Sequence, residues 1–262
     1  QEIKADPFCK HNGNEADYVL EYLDSENLER KNNPFVPRLE KKCAEIFGVE
    51  YAIAHNSATS ALHTCLMAAG VGPGDEVITP AITVIMDAFA CLYVGANPVF
   101  ADIDPDTFNI DPKDIEKKIT NKTKAIITVS INGLPVDMDS ILDIASKYNL
   151  IVIDDNAQTV LGFDKGRISG TFSHMGCFSF ETKKHLSMGE GGIVVTNDRN
   201  LAEKVRKAAG IGYKNLGANS TPMAINPEEF QNPYYKRHDV LGYNYRMPEL
   251  CAAIGLAQYE RI

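Results

Sequence analysis

The run Cys177-Phe-Ser-Phe-Glu-Thr-Lys-Lys184-His-Leu-Ser-Met-Gly189-Glu-Gly-Gly192 combines three features that chemistry can use. Ser179 leaves an apolar strand, Lys184 follows five residues later, and a glycine-rich turn leads into a second strand. A lysine held beside a carboxylate and an anion site can condense with a carbonyl cofactor. A lone loop lysine, by contrast, is an ordinary solvated group. A second candidate is Asp154-Asp155-Asn-Ala-Gln158, which closes an apolar run. Strand alternation sends the two aspartate side chains to opposite sides, so one can face a site while the other is structural. A helix cap or turn carboxylate explains that pair equally well. The third, His55-Asn-Ser57-Ala58-Thr59-Ser60, opens a helix whose free N–H groups and dipole suit an anion. Alone it reads as a plain serine N-cap. A solvated-loop reading must explain all three strand-end features together, which it does poorly.

Other chemistries lack their signatures. Gly189-x-Gly191-Gly192 is neither a dinucleotide fingerprint nor a P-loop, because no Gly-Lys-Ser/Thr follows. The six histidines show no metal-ligand spacing, so no metal is expected. The Gly-x-Ser-x-Gly elbow of a serine hydrolase is missing.

The elements that must position these residues alternate between helix and strand. The periodicity predicts helices over 15–27, 36–47, 58–69, 83–93, 138–148 and 200–209, and one starting near Pro248. Short apolar strands are predicted at 51–55, 76–79, 98–102, 125–129, 151–154, 175–180 and 193–196. Such alternation means an α/β fold with a mostly parallel sheet and helices on both faces. In that architecture ligands bind at the carboxyl ends of the strands, which is where all three candidates fall.

With 262 residues the chain suits one large domain, or one domain with a fragment of a second. Twenty-six Lys and Arg against thirty-five Asp and Glu give a net charge of -9. No nucleic-acid partner is expected of so acidic a chain, and no membrane partner. The most apolar stretch, 78–100, is broken by Pro80, Asp87, Gly95 and Pro98. Six scattered cysteines without a Cys-x-x-Cys pair point to a reducing cytoplasm. The chain begins without Met and stops inside the predicted last helix, so it reads as a piece of a longer protein.

At these motifs the sequence resembles the DegT/StrS family of sugar aminotransferases, pyridoxal 5'-phosphate (PLP) enzymes of the aspartate-aminotransferase fold type. The resemblance runs from about Asn14 to the end. It is carried by Asn56-Ser-Ala-Thr-Ser-Ala-Leu-His63, Gly72-Pro-Gly-Asp-Glu-Val-Ile-Thr-Pro80, Pro98-Val-Phe-Ala-Asp-Ile-Asp104, Asp155-Asn-Ala-Gln158, the segment 179–192 and Gly242-Tyr-Asn-Tyr-Arg-Met247. Their order makes the match specific.

The resemblance implies a role for each matched residue. Lys184 matches the lysine that carries PLP and moves the proton in transamination, with Lys183 as its neighbour. Asp155 matches the carboxylate paired with the pyridine nitrogen, ahead of Asp154. Gln158 matches a residue against the cofactor ring. Ala58, Thr59 and Ser179 match the phosphate cup. Asn244 matches an asparagine that reaches the phosphate from a partner subunit, which implies a homodimer with a shared site. Residues 1–245 would form the large PLP-binding domain, and 246–262 the start of a truncated small one. The substrate implied is a nucleotide-linked keto sugar, with glutamate as amino donor. Tyr234-Tyr-Lys236-Arg237-His238 to Arg246 mixes cations with aromatics and could bind the nucleotide diphosphate, or be a solvated basic loop. The sequence departs from the family in two places. Val84 falls where many relatives stack an aromatic ring on the cofactor. Ala58 stands where many have glycine, which requires a negative φ there. Two other readings remain: a dehydratase of the same family, in which histidine replaces the lysine, and a catalytically silent binding or regulatory relative.

Overall fold

The computed structural model describes residues 11–24, 34–219, 228 and 231–262. Its strands are short runs of Val, Ile and Ala: β1 (Tyr51–His55), β2 (Glu76–Pro80), β3 (Asn97–Ala101), β4 (Thr123–Val129) and β5 (Ile151–Asp155). A small hairpin, β6 (Phe163–Asp164) and β7 (Arg167–Ile168), precedes β8 (Met175–Ser179) and β9 (Gly192–Thr196). Seven of these strands form one sheet in the order β1-β9-β8-β5-β4-β2-β3. Only β9 is reversed: it pairs antiparallel with both β1 and β8, while the other pairings are parallel. The fold is the expected α/β one with a mostly parallel sheet. The reversal has a consequence for the site. Gly192, the first residue of β9, lies opposite both Ser179, the last of β8, and His55, the last of β1.

Neighbouring residues of one strand feed opposite cores, as the period of two requires. Ile53, Cys177 and Val194 pack with Leu62 and Leu66 of α3 (Ala58–Ala68) and Val205 of α7 (Arg199–Ala209). Ala52, Ala54, Phe178, Ile193 and Val195 pack with Leu39 and Phe47 of α2 (Phe35–Phe47) and Tyr259 of α8 (Glu249–Tyr259). α1 (Glu15–Asp24) covers α8, with Tyr18, Val19 and Tyr22 against this second core. A third cluster joins Ile126 and Val152 to Ile115 of α5 (Pro112–Lys118) and Ile141 of α6 (Met138–Tyr148). A buried pair, Arg206 Nη2 to Glu40 Oε2 at 3.0 Å, ties α7 to α2, and Glu40 Oε1 accepts the Ala54 N–H at 2.8 Å.

Two helices depart from the expected elements. The helix predicted to start at 83 is α4 (Met86–Tyr93), because the β-branched run Ile82-Thr83-Val84-Ile85 favours non-helical backbone. The helix α5 was not anticipated, although Asp111 caps it by accepting the Lys113 N–H, with Pro112 in its first turn. The predicted end of the first helix, 25–27, lies outside the described residues.

Candidate active site

The turn between β1 and α3 is fixed by its own side chains. Ser57 is an extended N-cap whose Oγ accepts the Ser60 N–H at 3.2 Å. Ser60 Oγ donates to Asn56 Oδ1 at 2.7 Å, and the Asn56 N–H donates to the Tyr245 carbonyl at 2.8 Å. The turn lies directly on Gly192. A Cβ there would sit 2.4 Å from the Ser57 carbonyl carbon and 2.6 Å from the Ala58 nitrogen. Both neighbours are backbone and cannot swing away. Gly192→Ala is therefore expected to cost about 1–3 kcal/mol, the usual scale of overpacking. Chemical denaturation measures this, and unchanged stability would show that the turn can shift freely.

Asp155 ends β5 and is 6% exposed, with its Oδ1 accepting the Ala157 N–H at 2.8 Å. Burial pushes its carboxyl up to about 6. The Ala157 N–H opposes that rise, the Asp154 charge adds to it, and the Lys184 charge and a hydrogen bond with Asp87 oppose it. Asp154 is fully buried elsewhere: its Oδ1 accepts the Thr128 hydroxyl at 2.7 Å, and burial raises its proton affinity too. Gln158 is pinned by accepting the Asn132 N–H at 2.8 Å.

Ser179 ends β8. The loop that follows is held at both ends by the Phe180 N–H to Gly191 and the Met188 N–H to Phe180 bonds, each 2.9 Å. Thr182 Oγ1 closes it on the Gly189 carbonyl at 3.1 Å, and the Lys184 N–H turns back to the Glu181 carbonyl at 2.9 Å. This places Lys184 in a cavity of about 250 Å³ with Ala58, Thr59, Asp155, Gln158 and Ser179. Lys183 and Asp154 do not line it.

Three strand ends thus converge on one cavity. Residues 10–262 match the DegT/DnrJ/EryC1/StrS aminotransferase family. The chain belongs to that family. It is 43% identical over 249 residues to the GDP-perosamine synthase of Escherichia coli O157:H7, covering 95% of this chain and 64% of that protein. Among solved structures it is similar to an aminotransferase from Psychrobacter cryohalolentis, with a TM-score of 0.84, 38% identity, and 94% of this chain against 61% of the other covered. It is also similar to NtdA of Bacillus subtilis, solved with bound cofactor PMP: TM-score 0.78, 31% identity, with 96% of this chain and 54% of that one covered. The chain spans 54% to 64% of the length of these three proteins.

The donor set fits pyridoxal phosphate, the cofactor of this aminotransferase family. A helix N-terminus seated on a glycine and a serine hydroxyl suit its phosphate, a buried carboxylate suits its ring nitrogen, and a lysine suits its carbonyl. Ala58 is not among the residues with positive φ, so its methyl is accommodated. Val84 lines the cavity and is 50% exposed. Asn244 does not reach this cavity: it is exposed, with its backbone bridged to Gly210. Its neighbour Tyr245 holds the segment to α3 through a 3.0 Å bond to His63 Nδ1.

The sequence reading gave no role to Met86, Glu181 and Glu190, which also line the cavity, nor to Asp87, which interacts with Asp155. The signal for Asp87 was available: an aspartate inside an otherwise apolar helical run is unusual unless it is paired. Among the described residues no helix is long and apolar enough to cross a membrane, and no cluster of three or more metal-ligating side chains occurs.

Proposed function

We propose that this chain is the cofactor-binding part of a PLP-dependent aminotransferase that moves an amino group, from glutamate, onto a nucleotide-linked keto sugar in the cytoplasm. The observation that carries this reading is the meeting of Lys184, Asp155 and the Ser57–Thr59 turn in one cavity. The E. coli relative, a GDP-perosamine synthase, supports a nucleotide sugar as substrate. Bound pyridoxal phosphate supplies an electron sink for breaking the bond between the donor's Cα and its hydrogen.

This chain's residues would do the rest. The Ala58 and Thr59 N–H groups and the Ser179 hydroxyl bind the phosphate. Asp155 sets a negative charge against the ring nitrogen and keeps it protonated. Gln158 and Val84 hold the ring in place, Val84 by aliphatic contact and not by aromatic stacking. The Lys184 Nζ would take up the proton lost from the donor's Cα and hold it for return later in the transfer. Asn244, exposed on this chain, would complete the phosphate site of a second copy in a homodimer. Residues 1–245 make up the cofactor-binding unit in this reading and 246–262 begin a smaller one, with α8 anchored in the larger unit's core.

The test is a visible spectrum of the purified protein with added PLP. A cofactor band that changes on adding glutamate supports the reading. Failure to bind the cofactor in a folded protein would move a binding or regulatory role to first place. Keto product formed without an amino donor would mark dehydration instead.

Lys236 and Arg237 are exposed, beside Tyr234 at 94% exposure, and in this reading they take the nucleotide diphosphate across the dimer. Lys236→Ala with Arg237→Ala is then expected to raise KM for the nucleotide sugar by about tenfold or more, the scale of one charged hydrogen bond. The KM for glutamate should hold. An unchanged nucleotide-sugar KM would remove this segment from the site.

A further inference from the structure

We propose that Asp87 is a positioning residue of this site, a neutral carboxylic acid whose O–H donates a hydrogen bond to Asp155 and so keeps Asp155 a buried anion. The effect on the cofactor rests on the function proposed above, whereas the location of the proton does not.

Asp87 lies in the first turn of α4 and is 0% exposed. Its Oδ2 accepts the Thr83 hydroxyl. Its Oδ1 is buried and has no hydrogen-bond donor among the described residues. The Asp87 and Asp155 carboxyls lie within interaction reach of each other, and Asp155 is an acceptor when ionised. Two ionised carboxylates in contact away from water repel each other, and each loses its solvation. One proton between them removes the repulsion and turns the orphaned oxygen into a donor.

The surroundings decide which carboxyl keeps that proton. Asp155 has the Ala157 N–H and the positive charge of Lys184, both of which favour its anion. Asp87 has, among the described residues, the Thr83 hydroxyl alone. Among the described residues, the other titratable groups that bear on the pair offer no positive charge. Asp154 stands beside Asp155 on β5, Cys177 faces from β8, and Cys91 lies one turn along α4 with its Sγ donating to the Asp87 carbonyl at 3.2 Å. Burial pushes both thiols up, so they stay neutral. Burial and then the Asp155 charge raise Asp87 well above the usual carboxylate range. The proton therefore sits on Asp87. Its hydrogen bond gives Asp155 a second donor besides Ala157, and the anion survives where burial alone would neutralise it.

Infrared difference spectroscopy on the full chain without cofactor, at neutral pH, tests the protonation state directly. The expected result is a carboxylic-acid C=O band that loses one group's intensity in Asp87→Asn. Asp154→Asn serves as control, because Asp154 is also a buried carboxyl of raised proton affinity. A spectrum unchanged by Asp87→Asn would overturn the proposal, whether or not the protein binds PLP. Cofactor titration tests the donor role. Asp87→Leu should weaken PLP binding about tenfold and move its acid limit up by about one pH unit, as loss of one such hydrogen bond implies. Asp87→Asn keeps an N–H donor and should restore both. Equal defects in the two variants would overturn the donor role. Should the leucine variant fail to fold, the infrared comparison still decides. A protein that never takes up PLP but shows the Asp87 band would refute the proposed function alone.

Discussion

Lys184→Ala is expected to abolish transamination, with a loss of about a million-fold, the scale seen when an enzyme's covalent nucleophile is removed. The visible band that depends on the lysine should vanish, while cofactor binding weakens without disappearing, because the phosphate site remains. The fold should hold. The loop is shaped by backbone bonds, by the Thr182 and Ser187 hydroxyls and by the Glu181 carboxylate, all of which the substitution leaves in place. Lys183→Ala is the matched control: Lys183 is exposed and lies outside the cavity lining, so its loss should leave activity near the wild-type level. Single-turnover measurement with glutamate separates the two. Inactivity of the Lys183 variant with an active Lys184 variant would reverse the assignment.

The candidate site was legible where chemistry sits at strand ends. Lys184, Ser179, Asp155 and Ala58 each follow a short apolar run by a fixed number of residues, so local pattern located them at the binding edge of the sheet. Two things escaped that logic. The first is the reversal of β9. An apolar strand looks the same in either direction, yet its reversal sets Gly192 under Ser57 and beside Ser179. The second is Asp87. It belongs to a helix, its partner is on β5, and no periodicity links them. The burial that pairs it with Asp155 arises only when α4 packs on the sheet. Asn244 shows the converse case. Its motif was plain in sequence, but the chain's own packing turns it away from its own cavity, so the phosphate contact proposed for it would have to be made in a second copy.

Asp155→Asn should have opposite effects on activity and on stability. Activity should fall roughly a thousandfold, the scale of losing a preorganised charge at a reacting group. The cofactor-free protein should become more stable near neutral pH. The reason is that burial pushes the Asp155 carboxyl up to about 6, so the folded chain holds this proton more tightly than the unfolded chain does. The stability tied to that proton is fully present below the unfolded value and is lost as pH rises through about 6. Asparagine cannot ionise, so it escapes that loss while its carbonyl oxygen can still accept the Ala157 N–H. The expected gain is about 1–3 kcal/mol above pH 6, with little gain near pH 4. Denaturation of the cofactor-free variant across that range would show it. If stability fell with activity at every pH, Asp155 would be a structural group in a packed sheet. A gain in one with a loss in the other would mark a charge kept at a cost to the fold, which is what a cofactor's ring nitrogen requires of its partner.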